Sequence, residues 1–135
     1  MLLGIHHIGI AVKDLDEATR RYVNAFGIRA GDIHHVPERG IRAILLDVGN
    51  CKLELVERKR IEGTPAPFTE SQGERITHIC FEVDDINKEL ESLSAKGIPL
   101  KDKVARQGIT GIIAYLHPDA MNGVAIEFVD KASTI

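Results

Sequence analysis

His6-His7-Ile8-Gly9-Ile10-Ala11-Val12-Lys13-Asp14-Leu15 returns in altered form as Thr77-His78-Ile79-Cys80-Phe81-Glu82-Val83-Asp84-Asp85-Ile86, with His7 and His78 aligned 71 residues apart. Both copies alternate bulky apolar residues with His, small or polar ones, which is the period-two signature of a strand with one apolar face. A helical pattern follows each copy at once. Leu15, Ala18, Tyr22 and Phe26 form a stripe that ends at Gly27-Ile28, and Ile86, Leu90 and Leu93 form one that ends at Gly97-Ile98. Asp14 with Glu17 reads as a capping-box-like start, Asp84 or Asp85 takes that part in the second copy, and Gly27 and Gly97 suit the position past a helix end. Further along, Lys52-Leu53-Glu54-Leu55-Val56-Glu57 matches Ala125-Ile126-Glu127-Phe128-Val129-Asp130, with Glu54 and Glu127 73 residues apart. An internal repeat on this scale decides the architecture before any single element does.

Each half reads as βαβββ. Strands at Ile41 to Val48 and Cys51 to Glu57 meet at a Gly49-Asn50 turn, and Ile112 to Leu116 returns through residues 117–123 into Val124 to Val129. The expected fold is α+β: one domain over residues 1–135, made of modules at about 1–60 and 74–135. A linker at 61–73 holds Pro65, Pro67 and Gly73 and has room for a lid. Helices on one side of a curved mixed sheet would leave the other side concave.

Composition narrows the function. A chain of 135 residues makes about one domain with a real core, and 44% hydrophobic with 27% charged residues argues against disorder. Net charge is −3 from 17 basic and 20 acidic residues, and 4% aromatics without Trp give neither the electrostatic footprint nor the stacking platform of a nucleic-acid binder. Cys51 and Cys80 stand alone, so neither a disulfide framework nor a thiolate zinc site is expected, and both read as small packing residues. The first residues lack the basic and apolar regions of a signal peptide, and no apolar run approaches the roughly 20 residues of a bilayer span. A cytoplasmic protein without membrane or nucleic-acid partners is the expectation.

Strand parity points to chemistry, because a slip of one residue would turn every side chain to the other face. Ile8, Ile10 and Val12, like Ile79, Phe81 and Val83, call for the helix side, which sends His7 and His78 the other way. Leu53 with Leu55, and Ile126 with Phe128, send Glu54 and Glu127 away from the helices in the same manner. Two imidazoles and two carboxylates suit one borderline divalent ion per chain: Co, Ni, Zn, Mn or Fe. Four protein ligands leave two positions of an octahedral shell for neighbouring oxygens of a substrate.

At these residues the sequence resembles the vicinal oxygen chelate superfamily of glyoxalases, bleomycin-resistance proteins and dioxygenases, over nearly the whole chain. Within it the sequence is most similar to methylmalonyl-CoA epimerases, through His6 to Val12, Val48-Gly49-Asn50-Cys51 to Glu57, Phe81 to Ile86, and Leu116-His117-Pro118 with Gly123 to Glu127. The resemblance implies a glyoxalase-like fold, a homodimer, an acyl-CoA substrate, metal ligands His7, Glu54, His78 and Glu127, and Glu127 as a catalytic residue. The implied reaction removes the proton between a thioester and a carboxylate, and a metal on those two oxygens stabilises the enediolate. Gly108, Gly111, Arg106 and Lys103, in and beside the loop Gln107-Gly108-Ile109-Thr110-Gly111 and near Lys101, read as the rim that binds substrate. Three positions depart from the epimerase pattern. Ala43 follows Pro37-Glu38-Arg39-Gly40 where some epimerases carry a glutamate base, Thr77 precedes His78, and Asp119 follows His117-Pro118. His34-His35 and His117 read as surface residues in loops, and Glu57-Arg58-Lys59-Arg60 as a solvated strand end. A glyoxalase I-like lactoylglutathione lyase is the leading competitor. Extradiol ring cleavage, for which Glu54 is superfluous, and a non-catalytic small-ligand binding protein of the same fold follow.

Overall fold

Asp14 accepts a hydrogen bond from the Glu17 N–H at 3.0 Å, and Gly27 closes the same helix in the left-handed conformation (φ 65°) that its missing Cβ makes inexpensive. In the computed structural model, which describes residues 1–135 apart from the side chain of Phe68, these caps bound α1 (Leu15–Phe26). It follows β1 (Leu2–Val12) and precedes β2 (Arg29–Val36), β3 (Ile41–Asp47) and β4 (Lys52–Arg58). After α2 (Phe68–Gln72) the pattern repeats as β5 (Arg75–Val83), α3 (Ile86–Ala95), β6 (Arg106–Gln107), β7 (Ile112–Tyr115) and β8 (Ala125–Asp130). The chain is therefore α+β with two βαβββ halves. Asp85 is the cap of α3 and accepts from the Lys88 N–H at 3.1 Å. Among the described residues no helix is long and apolar enough to cross a membrane.

The chain forms two compact units, one of residues 8–77 and the other of residues 1–7 with 78–135. In the first, the strands lie in the order β2-β3-β4-β1, with β2·β3 and β3·β4 antiparallel. Leu15, Ile44, Leu46, Leu55 and Val12 form its core, with Ala18 and Tyr22 of α1 packed on them. In the second, the order runs β1-β5-β8-β7-β6, parallel at β5·β8 and antiparallel through β8·β7 and β7·β6. Val83, Ile86, Leu90, Ala114, Leu116, Ile126 and Phe128 make that core.

Three sequence expectations need correction. His34 and His35 lie in β2, not in a loop: they pair with Ala43 and Arg42 of β3. The β3–β4 connection spans four residues, because Asp47 pairs with Lys52, and it is closed by the Asp47 carboxylate accepting from the Gly49 N–H at 2.8 Å. Glu57 is buried rather than solvated, although Arg58, Lys59 and Arg60 are exposed. Its carboxylate accepts from the Leu15 N–H at the start of α1 (2.9 Å) and lies 3.5 Å from the Arg42 guanidinium. Asp130 does the same in the other unit, accepting from the Ile86 N–H at the start of α3 at 3.0 Å. A helix leaves its first N–H groups without intrahelical acceptors. Here an acid on the last strand of each half takes one of them.

Candidate metal centre

In the unit of residues 1–7 and 78–135, β5, β8 and β7 share two faces of opposite character. Ile79, Phe81, Ile126, Phe128 and Ala114 pack on the α3 side. Register places Cys80 beside Glu127 and Tyr115 opposite Glu127, so His78, Glu127 and Tyr115 occupy the other face, as parity requires. There His7 Nε2 and His78 Nε2 are 3.1 Å apart with their rings edge to face. Glu127 Oε1 is 3.4 Å from His7 Nε2. His7 is fully buried, and His78 and Glu127 keep only 8% and 5% of their surface.

This donor set fits a divalent ion. Two ligands about 2.1 Å from a metal and at right angles stand about 3.0 Å apart, close to both separations seen here. Two imidazoles and a carboxylate are borderline donors suited to Co, Ni, Zn, Mn or Fe. In the unit of residues 8–77, Glu54 of β4 is also buried. It pairs with Leu45 and so shares a strand face with Ala43 and His34, opposite the face that carries Leu53 and Leu55 into the core.

Tyr115 and His6 escaped the sequence reading. The Tyr115 ring lies 6.0 Å from that of His78, and two cations lie over it, Lys101 Nζ at 5.4 Å and the Arg106 guanidinium at 6.0 Å from its centre. Arg106 Nε donates to Asp102 at 3.2 Å, and the other Asp102 oxygen accepts from the Tyr115 N–H at 2.8 Å. Arg106 therefore belongs to the surroundings of His78. Lys103 does not; it lines a cleft along α3 with Leu90, Ser94 and Pro99. Gly108 and Gly111 close a tight loop through the Gly108 N–H to the Gly111 carbonyl at 2.8 Å. A side chain at Gly111 would meet the Ser133 carbonyl at 2.7 Å, at a φ of +145° that other residues rarely adopt. His6 Nδ1 stands 2.8 Å from His7 Nδ1, the far side of the ring from the ligand cluster.

Comparison with known proteins identifies the family and the fold. Residues 6–115 match the family described as the Glyoxalase/Bleomycin resistance protein/Dioxygenase superfamily. The ethylmalonyl-CoA/methylmalonyl-CoA epimerase of Cereibacter sphaeroides is 32% identical over 94% of this chain and 97% of its own length. The mitochondrial methylmalonyl-CoA epimerase of Bos taurus is 31% identical over 91% of this chain and 71% of its own. Among solved structures, a variant methylmalonyl-CoA epimerase of Streptomyces coelicolor in complex with 2-nitronate-propionyl-CoA superimposes with a TM-score of 0.88 at 29% identity, covering 98% of this chain and 99% of that one.

Proposed function

We propose that this chain, which belongs to the glyoxalase/bleomycin resistance protein/dioxygenase superfamily, is a metal-dependent isomerase that interconverts the stereoisomers of methylmalonyl-CoA. The observation that carries the reading is the buried convergence of His7, His78 and Glu127 on the sheet face turned away from the core. Substrate identity comes by similarity to the epimerase relatives.

His7, His78 and Glu127 would hold the ion, with Glu54 added as the repeat counterpart of Glu127. A divalent metal supplies a Lewis acid toward negative charge developing on two neighbouring substrate oxygens. The chain's own residues do the rest. Glu127 takes the α-proton from one face of the substrate carbon onto a carboxylate oxygen, and a donor on the opposite face, a part that a bound water would fill, returns a proton there so that the centre inverts. Ala43 offers no group that can carry a proton, so the glutamate found there in some epimerases has no equivalent at this position. Lys101 and Arg106, each over the Tyr115 ring, provide positive charge for the carboxylate or the CoA phosphates. We propose that Gly108 and Gly111 let the loop backbone approach the substrate, and that two chains associate as a homodimer.

The test is exchange of the α-proton of methylmalonyl-CoA in deuterated water, followed by NMR. Wild type with added Co(II) should exchange well above the uncatalysed background, and Glu127→Gln should lose at least about 100-fold, the typical value of a positioned acid–base group. Absence of exchange, with ready formation of lactoylglutathione from the methylglyoxal–glutathione adduct, would replace this reading by the lyase.

A further inference from the structure

Three hydrogen bonds run in series behind the ligand cluster. His6 Nε2 lies 3.2 Å from the Ile135 oxygen, His6 Nδ1 lies 2.8 Å from His7 Nδ1, and His7 Nε2 lies 3.1 Å from His78 Nε2. A neutral imidazole has one N–H and one lone pair, and which nitrogen carries the proton is set by the partner of the other. The Ile135 oxygen can only accept. A neutral His6 therefore carries its proton on Nε2, toward that oxygen, which leaves Nδ1 as a lone pair. His7 Nδ1, 2.8 Å away, must then be the donor. A neutral His7 with its proton on Nδ1 presents a lone pair at Nε2, the atom that faces His78 and Glu127. On that assignment His78 supplies the hydrogen of the 3.1 Å contact.

We infer that His6 is a positioning residue that fixes the tautomer of His7, so that His7 Nε2 is poised to bind a metal before any metal arrives. A metal-binding imidazole ordinarily donates its remote N–H to a carboxylate, a carbonyl or water, and losing that partner typically costs 10- to 100-fold in metal affinity. Here the partner is a second imidazole, itself anchored by a backbone oxygen and 7% exposed. Burial adds to the effect, since the ring cannot turn to water for another partner. His6, His7 and Cys80 also offer donor atoms within 4.8 Å of one another, but the short Nδ1–Nδ1 contact already commits both imidazole nitrogens.

The inference rests on His7 being a metal ligand, and the experiment separates the two claims. Long-range proton–nitrogen NMR on 15N-histidine-labelled, metal-free wild type should show the proton of His6 on Nε2 and that of His7 on Nδ1. Co(II) titration against a chelating dye should give one ion per chain for wild type and 10- to 100-fold weaker binding for His6→Leu. His6→Asn, whose side-chain carbonyl can accept from His7 Nδ1–H, should recover most of that loss. A proton on His7 Nε2, or a doubly protonated His6, in the metal-free protein would overturn the inference whatever the titration gives. So would a folded His6→Leu that binds Co(II) as wild type does, or a second tightly held ion at His6, His7 and Cys80. Wild type that binds no Co(II) at all, with the tautomers as stated, would instead remove the metal reading of the site.

Discussion

Replacing Glu57 by alanine removes the acceptor of the Leu15 N–H and the ion partner of Arg42 in one step. A hydrogen bond to a charged group contributes about 1.5–3 kcal/mol, and the Leu15 N–H would be left buried. Urea unfolding of Glu57→Ala should therefore show a loss of about 2 kcal/mol, while Glu57→Gln, which keeps an acceptor oxygen, should lose less. Parity already put residue 57 on the face of Leu53 and Leu55, but the basic run that follows it reads as solvated and masked the point. Gly111→Ala is a second case, because its Cβ would press on the Ser133 carbonyl at a φ of +145°. It should cost more than the 0.4–1 kcal/mol that a strain-free Gly→Ala change gains, and in the opposite direction. A thermal melt measures both.

Elements with their own caps and a strong apolar period were legible from sequence: β1, α1, β4, β5, α3 and β8 fall where the repeat put them. The strand β2 was not, since Ala30-Gly31-Asp32-Ile33-His34-His35 has no alternating apolar face and becomes a strand only by pairing with β3. The same division runs through the site. Parity and the repeat pick out His7, His78 and Glu127, whereas Tyr115 joins them through the register of β7 on β8, which no local pattern encodes. Arg106 and Lys103 are three residues apart, yet one reaches the Tyr115 ring and the other lines the α3 cleft. The strand cores carry the stability. Leu55→Ala, at a fully buried position packed with Leu15, Ile44 and Leu46, should cost 2–5 kcal/mol by urea unfolding without abolishing metal binding.

For the molecule as a whole, a ligand that binds only the folded chain stabilises it by mass action. Protein stripped of metal should melt at a lower temperature than protein at a hundredfold excess of Co(II) over its Kd, the difference corresponding to about 2.7 kcal/mol. His78→Ala should show neither the shift nor the bound metal on elemental analysis. Leu2, Leu3 and Ile5 on β1 are each more than 40% exposed, and exposed apolar strands are ordinarily covered. Sedimentation equilibrium should accordingly give twice the 14.9 kDa of one chain, and a single-chain mass at micromolar concentration would refute the dimer. The carboxylates of Glu57 and Asp130 have a consequence in time as well. Amide protons in the first turn of a helix usually exchange with solvent as quickly as the helix end frays. Those of Leu15 and Ile86 are tied to strands 42 and 44 residues further along the chain. In heavy water they should outlast their neighbours in the same turn, and each should be released only when the last strand of its own half lets go.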